Sequence, residues 1–156
     1  MSSSNDQLWS RSSLHAATFK LREARFTHTL DTANSTGGGK SAAILSSTDA
    51  IGTTASFDPG FDPFTFLLDS SSGPDWYSRT SLNSDGDDHL ISFRYNGNSA
   101  TEQTYLLFWE DLPDLGDEDF RDMVVSVRFA VPEPATLAVF GFGLVGLGFL
   151  RRRRSA

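Results

Sequence analysis

The chain has 156 residues, 20 of them acidic and 13 basic, for a formal net charge of −7, and no cysteine. That length is expected to give one domain plus a tail, and the missing thiols exclude a disulfide scaffold, a thiol nucleophile and any cysteine-ligated zinc or iron–sulfur site. Four of the basic residues form the terminal run Arg151–Arg154, so the rest of the chain carries −11, a balance that argues against a nucleic-acid partner and suits divalent cations and an exported, soluble body.

Residues 1–16, opening on "MSSSNDQLWSRSS", are polar and serine-rich and are expected to lie outside the fold as a disordered segment. Between Phe19 and Leu30 the pattern supports two periods, with Phe26, His28 and Leu30 alternating as in a strand and Leu14, Ala17, Leu21 and Ala24 matching a helix; a strand is the reading adopted. "TANSTGGGKS" is a loop by composition. It ends like a phosphate-binding loop, but Asn34 stands where the first glycine should be and the chain is too short for a nucleotide-binding domain.

Downstream the alternation is cleaner. Phe64, Phe66 and Leu68 share a face in "FTFLLD", and His89, Ile91, Phe93 and Tyr95 share one in "HLISFRY". "TYLLFW" sets Tyr105, Leu107 and Trp109 against Leu106 and Phe108, as in a central strand covered on both sides. In "MVVSVRFAV", Met123, Val125, Val127, Phe129 and Val131 oppose Val124, Ser126, Arg128 and Ala130. Turn-forming stretches such as "DPGFDP", "SSSGPD", "NSDGDD" and "YNGNSA" separate these runs at the spacing of antiparallel sheets. The expected fold is mainly β, an antiparallel β-sandwich-like domain over residues 17–131, followed by a single C-terminal transmembrane helix.

Two loops concentrate acid. "EDLPDLGDEDFRD", residues 110–122, holds seven carboxylates with Arg121 as its lone base, and "NSDGDDH" adds Asp85, Asp87 and Asp88 just before a strand. Carboxylates held together want a cation, a proton or water, and loop-borne oxygens are the ligands calcium uses. The candidate calcium ligands are therefore Asp85, Asp87, Asp88, Glu110, Asp111, Asp117, Asp119 and Asp122, against the plain alternative that such loops are merely solvated. No EF-hand is present: counting from Asn83, the sixth position is Asp88 and the twelfth is Arg94. A hydrolase using two of these carboxylates is a rival reading, although nothing in the sequence marks one of them as buried. A carbohydrate-binding module, with Trp76, Tyr77, Tyr95 and Trp109 as a stacking platform, is another. His15, His28 and His89 lack ligand-like spacing.

The last stretch, "VPEPATLAVFGFGLVGLGFLRRRRSA", contains sixteen uncharged residues from Ala135 to Leu150, which as a helix reach roughly 24 Å against a hydrocarbon core of about 30 Å. Arginine snorkelling and local thinning accommodate the shortfall, and glycine is common in membrane helices. Arg151, Arg152, Arg153 and Arg154 fix the cytoplasmic side, which places the acidic body outside. No apolar leader occurs within residues 1–30, so either a signal peptide lies upstream of Met1 or the chain is a cytosolic tail-anchored protein; the second would carry four arginines across the membrane, and the first is the expectation adopted.

The order Pro132-Glu133-Pro134, apolar span, arginine cluster resembles the PEP-CTERM sorting signal of exported bacterial proteins. The resemblance implies a temporary inner-membrane anchor over residues 132–156, cleavage near Pro132, Glu133 and Pro134 by an exosortase, and a final place at the cell surface or in extracellular polysaccharide. A second resemblance runs from "FTFLLDSSSGPDWYSRTSLNSDGDDHLISF" to "YLLFWEDLPDLGDEDFRDMVVSV". It is similar to an uncharacterised bacterial domain family whose recurrent acids fall here on Asp85, Asp88, Glu110, Asp111, Asp117, Asp119 and Asp122, and whose members often precede such tails. The departure at Phe120 and Arg121 is mild, and the resemblance implies no established reaction.

Overall fold

A computed structural model of the protein describes residues 7–10, 15–71, 73–95 and 102–130. Nine strands run in chain order as β1 (His15–Leu21), β2 (His28–Asn34), β3 (Leu45–Ser46), β4 (Thr54–Phe57), β5 (Phe64–Ser70), β6 (Trp76–Tyr77), β7 (Leu90–Arg94), β8 (Glu102–Trp109) and β9 (Met123–Ala130). All pairings are antiparallel. Five strands form one sheet in the order β4-β1-β9-β8-β7, and four form the other in the order β3-β2-β5-β6. Short 3₁₀ turns at Thr80–Leu82 and Pro113–Leu115 are the helical elements among the described residues, and none of these is long and apolar enough to cross a membrane.

The sheets pack face to face because each offers an apolar side that water would otherwise cover. Ala17, Phe19, Leu107, Trp109, Val125 and Val127 of the larger sheet meet Leu30, Phe64, Phe66, Leu68 and Trp76 of the smaller one in a single buried cluster. Strand β5 is buried on both faces, which explains why Leu67 joins Phe64, Phe66 and Leu68 in an apolar stretch interrupted only by the buried Thr65. Strand β8 lies inside the sheet between β9 and the edge strand β7, with Tyr105, Leu107 and Trp109 inward, but Leu106 and Phe108 on the other side are only half-covered, where cover on both faces was expected. In β7 the inward residue is Leu90; Ile91 and Phe93 point to solvent, as does Tyr95 just beyond the strand.

The segment 1–16 is not all outside the fold. Trp9 pairs with Phe64 through two 2.8 Å backbone hydrogen bonds, and its ring lies 5.4 Å from that of Phe129 and 5.0 Å from that of Tyr105. Gln7 donates to the Ser78 carbonyl, and β1 begins at His15. Trp9 is drawn in because burying much of its ring outweighs ordering its neighbours Gln7, Leu8 and Ser10. The ambiguous stretch Phe19–Leu30 is likewise two strands, joined by a loop over residues 22–27. Val131, the expected sorting residues Pro132, Glu133 and Pro134, the expected span 135–150 and the arginines 151–154 lie outside the described residues.

Register gives the sandwich two unlike ends. Trp109 pairs with Met123 and Leu90 at one end, and Glu102 pairs with Ala130 at the other. Both acidic loops therefore gather at the first end, joined from the smaller sheet by His28, whose partner is Ser70. The chain leaves β9 at the second end, roughly 24 Å away for an eight-residue strand.

Candidate functional site at the acidic end

The turn before β7 is organised by Asn83, whose side-chain oxygen accepts from the Tyr77 N–H (2.7 Å) and whose amide donates to the Asp87 carbonyl (2.8 Å). Gly86 permits the turn with φ of +83°. Asp85 then reaches across it, accepting from the Asp87 N–H (3.0 Å), from the Asp114 N–H of the other loop (3.0 Å) and from His89 Nε2 (2.9 Å). Burial alone would raise the Asp85 carboxyl, but the two backbone donors and the histidine ring outweigh it and hold the group below its ordinary value. The other nitrogen of His89 faces the Glu110 carbonyl at 3.0 Å. The His89 ring stacks on Trp76 with centroids 3.6 Å apart.

The second loop leaves β8 at Glu110 and returns at Asp122. Asp114, Leu115, Glu118 and Phe120 all have positive φ, and Gly116 at φ +40° is pressed against Leu112. Four left-handed residues in seven positions are costly for side chains with a Cβ and persist where surroundings dictate the path. The loop turns its donors inward: Glu110 accepts from the Leu112 N–H (3.2 Å) and the Phe120 N–H (3.4 Å), and Asp122 accepts from the Asp111 N–H (2.8 Å). His28 Nε2 lies 2.7 Å from Asp111 Oδ2 with both side chains buried, and Trp76 Nε1 donates to the Asp111 carbonyl (2.7 Å). Asp119 accepts from the Arg121 N–H and guanidinium, which hold its carboxyl below the ordinary range.

Three groups of carboxylates result, each with one oxygen per residue within 4.8 Å of the others: Asp85, Asp87 and Asp114; Glu110, Asp117 and Asp119; Glu110, Asp111 and Asp122. At an effective dielectric near 20, each pair of charges at 4.8 Å repels by about 3 kcal/mol. The strain is greatest in the last group, where Glu110 is fully buried and Asp111 nearly so. Burial first, and then the neighbouring Asp111 and Glu110 charges, push the Asp122 carboxyl up to about 7.

Seven of the eight residues singled out from the sequence enter these groups. Asp88 does not; its Oδ1 accepts from the Leu90 N–H at 3.3 Å, a strand-entry contact. Asp114 belongs to the site and was not foreseen, since "LPD" reads as a turn. His28 and His89 were set aside for want of ligand-like spacing, yet each is buried against a site carboxylate. The supposed stacking platform does not exist as such: Trp76 and Trp109 are fully buried core residues, Tyr77 is half-buried, and Tyr95 is exposed beyond the end of β7. The glycine-rich stretch forms a turn around Asn34, which accepts from Thr36 and Gly38, and its Lys40 pairs with Asp69 and, at 3.5 Å, Asp31.

Residues 67–130 match the domain of unknown function DUF4114, and residues 130–154 match the PEP-CTERM protein-sorting motif. The chain carries a PEP-CTERM sorting motif behind a DUF4114 domain. The DUF4114 match begins within β5, at residue 67, and spans both acidic loops and the strands from β6 onward; β1 to β4, which supply His28, precede it. No curated protein matches the chain. Among the solved structures that share its fold are two lectins. The C-terminal domain of the BC2L-C lectin from Burkholderia cenocepacia aligns at 17% identity with a TM-score of 0.52, over 81% of this chain and 97% of that one. The lectin CV2L of Chromobacterium violaceum, solved in complex with alpha-methyl-fucoside, aligns at 14% identity and a TM-score of 0.52, over 81% of this chain and 98% of that one. At such identities the likeness is one of fold alone.

Proposed function

We propose that this is an exported bacterial surface protein, held at the inner membrane by its C-terminal span, released by exosortase and retained at the cell surface or in extracellular polysaccharide. The observation that carries the reading is the PEP-CTERM motif beginning at residue 130, immediately where β9 ends. A proteolytic signal directly behind a folded domain leaves the domain whole after cleavage near Pro132, Glu133 and Pro134. The test is mass spectrometry of the protein from the native host: the exported form should end near these residues, and deletion of the exosortase should leave the chain uncut through Arg151–Arg154. An exported form that keeps its arginines would end the proposal.

The DUF4114 domain is read as structural and calcium-stabilised. The donor set fits calcium, being all oxygen and rich in carboxylate. The support lies in Glu110, Asp111 and Asp122, three carboxyls converging within 4.8 Å, with Asp122 raised to about 7 by burial and then by the two neighbouring charges. A cation would offset those charges, and Asp85, Asp87, Asp114, Asp117 and Asp119 would hold others at the same end.

A carbohydrate-binding role ranks second. It is favoured by the shared fold with two lectins and weakened by the burial of Trp76 and Trp109; blank binding across bacterial polysaccharides would remove it. A hydrolase ranks third. Asp122 beside Asp111 and Glu110 does pair a raised carboxyl with others, as acid–base chemistry needs, but Glu110 is fully buried and presents nothing to a glycosidic bond.

A further inference from the structure

The outer face of the five-stranded sheet is divided. Its β7–β8 half is apolar: Ile91 stands opposite Phe108, Phe93 opposite Leu106, and the Phe93 and Phe108 rings meet edge to face at 5.6 Å. Tyr95 follows, its N–H bonded to the Thr104 carbonyl. Ile91, Phe93 and Tyr95 are 37%, 50% and 59% exposed, and they make up half of the exposed large hydrophobic residues among those described; the other three are scattered singly. Strand β7 is also a sheet edge, where natural proteins place charge rather than a contiguous apolar stripe.

Three observations select the occupant. The stripe runs toward the end of the sandwich from which the chain leaves β9, because Tyr95, Thr104, Glu102 and Ala130 share that end. Five chain steps separate Ala130 from Ala135, the first residue of the apolar run, so they are at most roughly 18 Å apart. Charge points the same way: in a body at −11, both acidic loops lie at the far end, while this face near the exit carries Arg128 and Glu102 as a 3.8 Å pair. Any anionic lipid in the leaflet facing the body would repel the acidic end more strongly than this one.

We propose that the Ile91, Phe93, Tyr95, Leu106 and Phe108 face rests on the lipid surface while the tail is uncut, which sets the acidic end away from the membrane. The inference rests on the anchoring reading above. Tyrosine and phenylalanine beside a span partition into the headgroup region. A patch this small binds a bilayer weakly on its own, but a tether of this length keeps its effective concentration high. Cleavage near Pro132–Pro134 ends that advantage, so one cut both severs the anchor and frees the face.

The chain has no cysteine, so single fluorophores can be placed on the full-length protein by Ser126→Cys beside the stripe, Ser84→Cys at the acidic end and Phe142→Cys in the tail. Each is reconstituted in liposomes of phosphatidylcholine and phosphatidylglycerol, with and without brominated lipid as quencher. Quenching at position 126 should exceed that at 84 by about twofold or more, and Phe93→Ser with Tyr95→Ser, both exposed, should remove most of the difference. Equal quenching at 126 and 84 with strong quenching at 142 overturns the docking and leaves the anchor intact. Absent quenching at 142 overturns the anchoring reading and the docking with it. Quenching at 126 that follows protein density rather than brominated lipid assigns the face to a second copy instead.

Discussion

Asp122 lies half-buried between Asp111 and Glu110, its oxygen accepting from the Asp111 N–H. Burial and the two neighbouring charges raise its carboxyl from 3.8 to about 7. Between those values the folded chain holds a proton that the unfolded chain has released, so without metal this group makes stability fall as pH rises from about 4 to about 7. Asp31 and Asp75, also raised by burial, act in the same direction. Asp85 and Asp119, held below the ordinary value, contribute stability that is complete above that value and is lost only in acid, so they do not shape this window. Asp122→Asn keeps an acceptor for the Asp111 N–H and removes the charge. In chelator at pH 7.5 it should match or exceed the wild type by about 1 kcal/mol, allowing for screening at a half-buried site, and its urea midpoint should vary less between pH 5 and 7.5. An unchanged slope would show that Asp122 is not the group responsible.

At the level of elements, sequence alternation and tertiary burial agree in some strands and part in others. Strands β5, β8 and β9 were legible because seven or eight residues repeat a period of two under strong apolar demand. The two-residue strands β3 and β6 were not, since a pair of residues has no period. In β7 the alternation was visible but its sense was not: it groups Ile91, Phe93 and Tyr95 without saying whether that group faces the core, and only the opposing sheet decides. The acidic loops were legible from composition. Their partners were not, because His28 meets Asp111 across 83 positions of sequence. Trp9 shows how one aromatic residue can overrule a polar context. Its contacts with Phe66, Tyr105 and Phe129 predict that Trp9→Ala costs about 2–4 kcal/mol, read as a lowered urea midpoint. A shift below about 0.5 kcal/mol would mean that the N-terminal segment contributes nothing to the fold.

For the whole molecule, the two ends of the sandwich have different tasks. One end releases the tail that carries the sorting motif; the other gathers carboxylates from two loops and closes them against His28, His89 and Trp76. Like charges crowded into a buried corner weaken a fold unless something compensates them, and outside the cell calcium is the abundant divalent cation of the right chemistry. The most direct measurement is calorimetric unfolding of the full chain in detergent at pH 7.5, with excess chelator and with calcium at about a hundred times its dissociation constant. Linkage predicts a stabilisation of about 2.7 kcal/mol for one site, seen as a melting temperature higher by several degrees and absent with magnesium. Superimposable transitions in calcium and in chelator would contradict the account and leave the acidic end as a solvated, proton-compensated corner of the fold.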